Sequence, residues 1–304
     1  MNKELHHIET MLQSVTNSNI KHISLYHGID LYFYTVSIDT FSVHHQKISH
    51  IMEINYCRTG RLGWDMENGN KIYLGSGDFA LHTLDACCDS TLYFPTGNYE
   101  GLTLYIDFNE LATNPLELLE ETGICHELFS NKFWNKVSFA SFSGNTQTDA
   151  IFSAFYDLPE HLQLAYYKIK SIELLLYLST MQTNNDCYLT EYRSEQIEII
   201  RKVHDYLTDN IGKHITIEAL SRQYLINPTT LKAVFKSVYG NSLASHIKEH
   251  RMELASKLLR ETDLNIAQIS EQVGYESQSK FTAAFKAYYQ ILPKEYRKKL
   301  IKAK

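Results

Sequence analysis

Three sets of side chains in this sequence have the types and spacing that chemistry needs. Glu53 has His50 three residues before it and His82 beyond it, and imidazoles with a carboxylate can hold iron, manganese or zinc. His44 and His45 are adjacent but lie too far upstream to join them. For most of the 14 histidines, ten of them before Ser194, the plainer reading is a surface residue or a hydrogen-bonded core residue. The second set is the cysteines at 57, 87, 88, 125 and 187, of which the vicinal Cys87-Cys88 could take a soft metal or a redox role. Their number is odd and their spacing follows no framework, and Met1-Asn2-Lys3-Glu4-Leu5-His6-His7 lacks the apolar run of a signal peptide. They read as reduced packing thiols of a cytoplasmic protein. The third set is aromatic: Tyr34, Tyr56, Trp64 and Tyr105 stand in a stretch dense in such rings. Lining a cavity they would suit an amphipathic ligand, and the alternative for each is core packing.

The elements that must position these residues follow from composition and pattern. Hydrophobic residues make up 44% and charged residues 21%, the balance of a chain that folds around a core. This excludes disordered, collagenous and disulfide-scaffold proteins, and 304 residues suggest two domains. No run approaches the ~18–20 consecutive apolar residues that span a membrane. Between His22 and Phe108, β-branched and aromatic runs such as Leu31-Tyr32-Phe33-Tyr34-Thr35-Val36 alternate with turn signals such as Gly75-Ser76-Gly77-Asp78. They predict a small barrel or sandwich. From Thr148 the period becomes helical. Residues 162–178 predict a long apolar helix with one face on the barrel and spare leucines for a partner helix, a homodimer surface.

The last third differs in charge. From Ser194 onward Lys and Arg outnumber Asp and Glu 18 to 12, whereas the preceding residues carry 11 basic and 23 acidic side chains. Such asymmetry suggests that only this third meets a polyanion. Thr216 caps a short helix with Ile217, Leu220 and Tyr224 on one face, and the turn Leu225-Ile226-Asn227 follows. A second helix from Pro228 to Gly240 turns Leu231, Val234, Phe235 and Val238 inward and keeps Thr229, Thr230, Lys232, Ala233 and Lys236 outside. The pattern recurs. Leu231, Phe235-Lys236 and Tyr239 correspond to Phe281, Phe285-Lys286 and Tyr289 at an offset of 50, and Ile217 and Leu220 to Ile266 and Ile269 at 49. A helix from about Leu243 to Arg260 joins the copies, with Leu243, Ile247, Leu254, Leu258 and Leu259 on its core face. Two helix-turn-helix units, 216–240 and 265–289, in a basic segment suit a duplex, because a helix fits the major groove. Spaced roughly 34 Å apart, the second helices of the two units would meet successive grooves.

The pieces Phe235-Lys236, Gly240, Arg251, Ala255, Leu258-Leu259, Ile266-Ala267-Gln268-Ile269, Val273-Gly274-Tyr275, Ser277, Ser279, Phe281, Phe285-Lys286 and Pro293-Lys294-Glu295-Tyr296-Arg297 resemble the DNA-binding domain of the AraC/XylS family of bacterial transcription regulators. The resemblance covers about the last 110 residues. It implies base reading by Thr229, Thr230, Lys232, Ala233 and Lys236 in the first unit. In the second it implies base reading by Gln278, Ser279, Lys280, Thr282 and Ala283, with Lys286 on phosphate. Thr methyls can meet thymine, Gln can pair with adenine, and lysines also serve phosphates. The partners it implies are double-stranded promoter DNA, a small-molecule effector and RNA polymerase. The sequence departs from the family pattern at Lys280, where an aromatic residue is usual, and at Gln290, Leu292 and His246. The strand region in turn resembles a cupin-like sensor barrel, through Glu53 with Gly60 and the Leu74-Gly75-Ser76-Gly77-Asp78 turn with His82. The pair of histidines one residue apart that a metal-binding cupin places before its glutamate is absent. The barrel is therefore read as holding no metal and taking a small molecule, or nothing.

The sequence thus predicts a two-domain α+β protein. A cupin-like ligand-sensing and dimerisation domain spans 1–182, a linker with its hinge near Thr183-Asn184-Asn185-Asp186 spans 183–193, and a DNA-binding domain spans 194–304. The expected function is ligand-responsive transcription activation without catalysis, cofactor or membrane. The alternatives are a cupin-type metal-binding enzyme or sensor carrying a DNA-binding tail, and a nucleoid-type architectural binder without ligand.

Overall fold

Strands form where side chains must serve two faces, since successive residues leave an extended chain on opposite sides. The computed structural model describes residues 18–65, 69–86, 88–134, 139–182 and 188–302, and the chain divides into two units at Ser194 and Glu195. Cys87, residues 183–187 with the expected hinge and Cys187, residues 1–7, and residues 303–304 lie outside the described residues.

The first unit contains β1 (Ser18–Tyr26), β2 (Ile29–Val36), β3 (Thr40–His44), β4 (Ile51–Gly60), β5 (Leu62–Asp65), β6 (Asn70–Leu74), β7 (Phe79–Thr83), β8 (Asp89–Tyr93), β9 (Tyr99–Asp107), β10 (Phe139–Phe142) and β11 (Tyr192–Arg193). The larger sheet runs β1-β2-β9-β4-β7-β10 and the smaller β11-β6-β5-β8-β3. Register sets Glu53 opposite His82 and Tyr105, and Asn55 opposite Thr103. These residues therefore share one face of the larger sheet. That face joins Tyr32, Tyr34 and Cys57 to Leu62, Trp64 and Ile72 of the smaller sheet in one core. Burial there pushes the Cys57 thiol up to about 12, which fits an inert packing thiol.

The alternate residues Met52, Ile54, Tyr56, Leu102 and Leu104 form a second core against helices. Those helices are α1 (Phe108–Thr113), α2 (His126–Phe129), α3 (Thr146–Ser153) and α4 (Gln163–Thr180). The layers are thus sheet, sheet and helix. The strand-rich, helix-backed domain is as expected, but its strands are shared between two sheets instead of closing one barrel. Helix α4 buries Tyr167, Ile172, Leu174, Leu175 and Leu178, and leaves Leu164, Tyr166, Ile169 and Leu176 exposed.

Residues 188–193, expected as the end of a linker, are bound to this unit. Tyr188 bridges Phe142, the Leu189 N–H donates to the Ser141 carbonyl at 2.9 Å, and β11 pairs with β6. The backbone carbonyls and edge groups of the sheets offer this stretch partners that a solvated linker lacks.

The second unit is helical: α5 (Ser194–Asp209), α6 (Ile217–Tyr224), α7 (Pro228–Tyr239), α8 (Leu243–Glu261), α9 (Ile266–Gln272), α10 (Gln278–Tyr289) and α11 (Pro293–Lys302). The buried face of α8 is Leu243, His246, Met252, Ala255, Ser256 and Leu259, while Ile247, Leu254 and Leu258 are half-buried. Leu243 and Leu259 are buried as expected, and Leu254 and Leu258 pack against the core that holds Leu259, so the apolar face is extended by Met252 and Ala255 and by two polar residues. Two polar residues take core positions because they have partners, Ser256 with the Tyr296 hydroxyl at 2.9 Å and His246 with His250.

Candidate nucleic-acid interface

Helix α6 starts at Thr216, whose hydroxyl accepts the Ala219 N–H at 3.2 Å. It ends at Leu225, which adopts a left-handed φ of 51°. Asn227 caps α7. Its Oδ1 accepts the Thr230 N–H and its Nδ2 donates to the Thr230 hydroxyl, both at 2.8 Å. Leu231, Val234, Phe235 and Val238 are fully buried, and this fixes which face of α7 looks out. Thr229, Lys232, Ala233 and Lys236 are exposed at the i, i+3, i+4, i+7 spacing of one stripe. Thr230 is half-buried and its hydroxyl is engaged by the cap.

The second unit repeats this construction. Asn265 and Gln268 form a capping box at the start of α9, Gly274 takes φ 78° at the place of Leu225, and Ser277 caps α10. Phe281 and Phe285 are fully buried, as Leu231 and Phe235 are. Gln278, Ser279, Lys280, Ala283 and Lys286 are exposed and Thr282 is half-buried. Neither α7 nor α10 contains an acidic residue. Glu276 stands just before α10. It sits 2.5 Å from the Lys280 ammonium, and that contact holds its carboxyl below the usual range. The spacing of four residues is the sequence signal of this pair.

Helix α8 has 19 residues, a rod of about 28 Å at 1.5 Å per residue. Arg251 on it, one of the residues of the family pattern, fastens both halves. Its Nε and Nη2 donate to the Ile211 and Lys213 carbonyls, each at 3.0 Å, and its guanidinium lies 5.8 Å from the Tyr275 ring centre. A Cβ at Gly274 would come within 2.7 Å of the Gly212 carbonyl, so the two loops touch and glycine is required. Two equivalent outward stripes are thus held on one braced frame, rich in methyl and cationic groups, suited to phosphates and base edges.

The strand-rich unit encloses a cavity between its sheets. Tyr34, Trp64 and Tyr105 line it, with Glu53, Asn55 and Thr103 as its polar side. Asn55 accepts from the Thr103 hydroxyl at 2.6 Å and donates to Glu53 at 3.0 Å, and Tyr105 donates to Glu53 at 3.4 Å. Burial, with the Glu53 charge second, holds the Tyr34 phenol well above its usual range, so it stays a neutral donor. Tyr56 does not belong to this cavity. It stacks on Phe152 at 4.2 Å on the helix side, because its position has the opposite parity to Glu53 and Asn55.

The candidate metal set does not assemble. His82 is fully buried, stacked on Phe139 and 3.7 Å from Glu53. Its Nε2 lies 3.1 Å from the Asn55 amide nitrogen, a donor, which assigns the ring proton to Nδ1, facing the Thr83 carbonyl at 3.3 Å. His50 instead lies 3.8 Å from Asp107 and is 39% exposed. His50 lies in the bend just before β4, and its imidazole turns to Asp107 and away from Glu53.

Comparison with known proteins matches a helix-turn-helix domain over residues 220–299. The regulator AlkR of Acinetobacter baylyi is 35% identical over 82 residues, 27% of this chain and 27% of that protein. The match to AlkR thus spans about a quarter of its length. The multiple antibiotic resistance protein MarA of Salmonella typhimurium is 30% identical over 98 residues, 32% of this chain and 77% of that protein. Among solved structures, the C-terminal domain of the response regulator AraT of Geobacillus stearothermophilus is 31% identical, with 33% of this chain and 84% of that chain covered and a TM-score of 0.33. Among the described residues no helix is long and apolar enough to cross a membrane. With its doubled helix-turn-helix and a relative matched over most of its length, the chain belongs to the AraC-type family of DNA-binding transcription regulators.

Proposed function

We propose that the chain is an effector-responsive activator that reads two successive major grooves of a promoter in the cytoplasm and performs no catalysis. The observation that carries it is the equivalence of α7 and α10: each is capped by Asn or Ser, anchored at two equivalent positions by fully buried residues (Leu231 and Phe235, Phe281 and Phe285), and free of acid on its outward stripe. Base reading is assigned to Thr229, Thr230, Lys232, Ala233, Lys236, Gln278, Ser279, Lys280, Thr282 and Ala283, and phosphate contact to Lys286. Thr230 contributes through its methyl, since its hydroxyl is held by Asn227. The effector is a partly apolar molecule whose hydroxyl or amine meets Glu53, with Tyr34, Trp64 and Tyr105 around its body. A second copy covers the exposed Leu164, Tyr166, Ile169 and Leu176 of α4, and RNA polymerase is the partner at the promoter.

The test is a footprint of the full chain on duplexes that it selects from random sequence. Two protected stretches one helical turn apart are expected, and Thr229→Ala or Gln278→Ala should each cost about 1–3 kcal/mol on the selected site. A single protected stretch, or equal affinity for random DNA, would refute the reading and favour an architectural role.

A further inference from the structure

Outside the two stripes and the cavity, three imidazoles converge in the helical unit. His204 comes from α5, and His246 and His250 from α8 one turn apart. Each ring offers a nitrogen, and the three nitrogens lie within 4.8 Å of one another. The Nε2 atoms of His246 and His250 are 3.0 Å apart. In a tetrahedral zinc site with bonds of roughly 2.0–2.1 Å, ligand nitrogens stand about 3.4 Å apart, so small ring rotations would seat an ion. Among the described residues no other group of His, Cys, Asp and Glu meets this geometry.

The surroundings are those of a ligand set. Nδ1 of His204 lies 3.4 Å from Asp205 and Nδ1 of His250 lies 3.5 Å from Glu253. A carboxylate on Nδ1 fixes the ring and leaves Nε2 as the lone-pair nitrogen, the usual outer support of a metal-bound histidine. His246 is buried, while the side chains of His204 and His250 are 21% and 33% exposed, which leaves an entry path and room for a water as fourth ligand. The wall behind them is aromatic. Tyr239 stacks on His204 at 4.4 Å, and Phe235 meets His246 edge-on at 5.3 Å.

We propose that His204, His246 and His250 bind a divalent first-row transition ion, Zn2+ foremost, which clamps α5 to α8 beneath α7. Imidazole nitrogens suit zinc, copper and nickel and disfavour magnesium and calcium. Phe235 and Tyr239 belong to α7, so the ion would stiffen the footing of the first outward stripe.

The experiment uses the tag-free full chain, stripped with EDTA and titrated with Zn2+ by calorimetry, with melting followed in parallel. One equivalent is expected, with a rise of about 5 °C or more in the helical transition. His250→Ala should weaken binding at least tenfold, and Glu253→Ala about tenfold. His50→Ala should change nothing. Co2+ should give four-coordinate visible bands that His250→Ala abolishes, with circular dichroism checking that the variant is folded. Absence of a one-to-one complex, or affinity unchanged in folded His250→Ala and Glu253→Ala, would overturn the proposal.

Discussion

Lys280 illustrates how a single neighbour changes what a side chain can offer. Its side chain is 67% exposed and its ammonium points at Glu276, so part of its charge is neutralised before DNA arrives. Glu276→Gln should therefore raise affinity for any duplex by about two- to threefold at low salt, with a gain that fades as salt is added. Competition titrations at two ionic strengths check this, and an unchanged or lower affinity would contradict it. The outward residues were legible because α7 and α10 bury a strict helical set, leaving the remaining positions no other side. Tyr56 and His50 lie away from the cavity and the Glu53–His82 pair for different reasons. Nothing in an isolated run says which strand face holds the cavity, but once Glu53 is placed, parity excludes Tyr56, while His50 sits in the bend before β4, where no alternation holds.

At the scale of elements, the two turns differ where they are otherwise alike. Gly274 takes its left-handed conformation without strain, whereas Leu225 adopts φ 51° with a branched side chain that is 92% exposed. Gly274→Ala adds both backbone strain and a contact with the Gly212 carbonyl, and should cost about 2 kcal/mol or more. Leu225→Gly removes strain and no packing, and should gain up to about 1 kcal/mol, the looser unfolded chain offsetting part of it. Denaturant unfolding followed by helical circular dichroism measures both. Helices and caps could be read from the sequence because their partners are local. The buried face of α8 could not be read fully, since His246 and Ser256 earn core positions through residues that periodicity of apolar side chains does not register.

For the whole molecule, the division of labour followed from charge and repetition, and the number of sheets did not. β9 pairs with β2 and β4, and β7 with β10, contacts that span long stretches of chain and depend on register instead of composition. Assembly is the remaining consequence at this scale. Ile169 is 63% exposed on α4, and the second copy proposed to cover this face predicts a dimer that Ile169→Glu converts to a monomer without loss of helix content. Light scattering after size exclusion reads the mass, and a variant that stays dimeric would place the contact elsewhere.

The way the chain leaves the strand-rich unit has its own meaning. β11 is only two residues long, reinforced by Ser194 on the Gly69 carbonyl and by Asn70 on Glu191. It hangs on β6, the neighbour of β5, and β5 supplies Leu62 and Trp64 to the cavity wall. A latch with so few teeth, each worth about 1 kcal/mol, can spring while the rest of the sandwich stays shut. The effector proposed for this cavity would act against Trp64 within that same narrow margin, since releasing or fastening the exit takes no more energy than an ordinary binding event supplies.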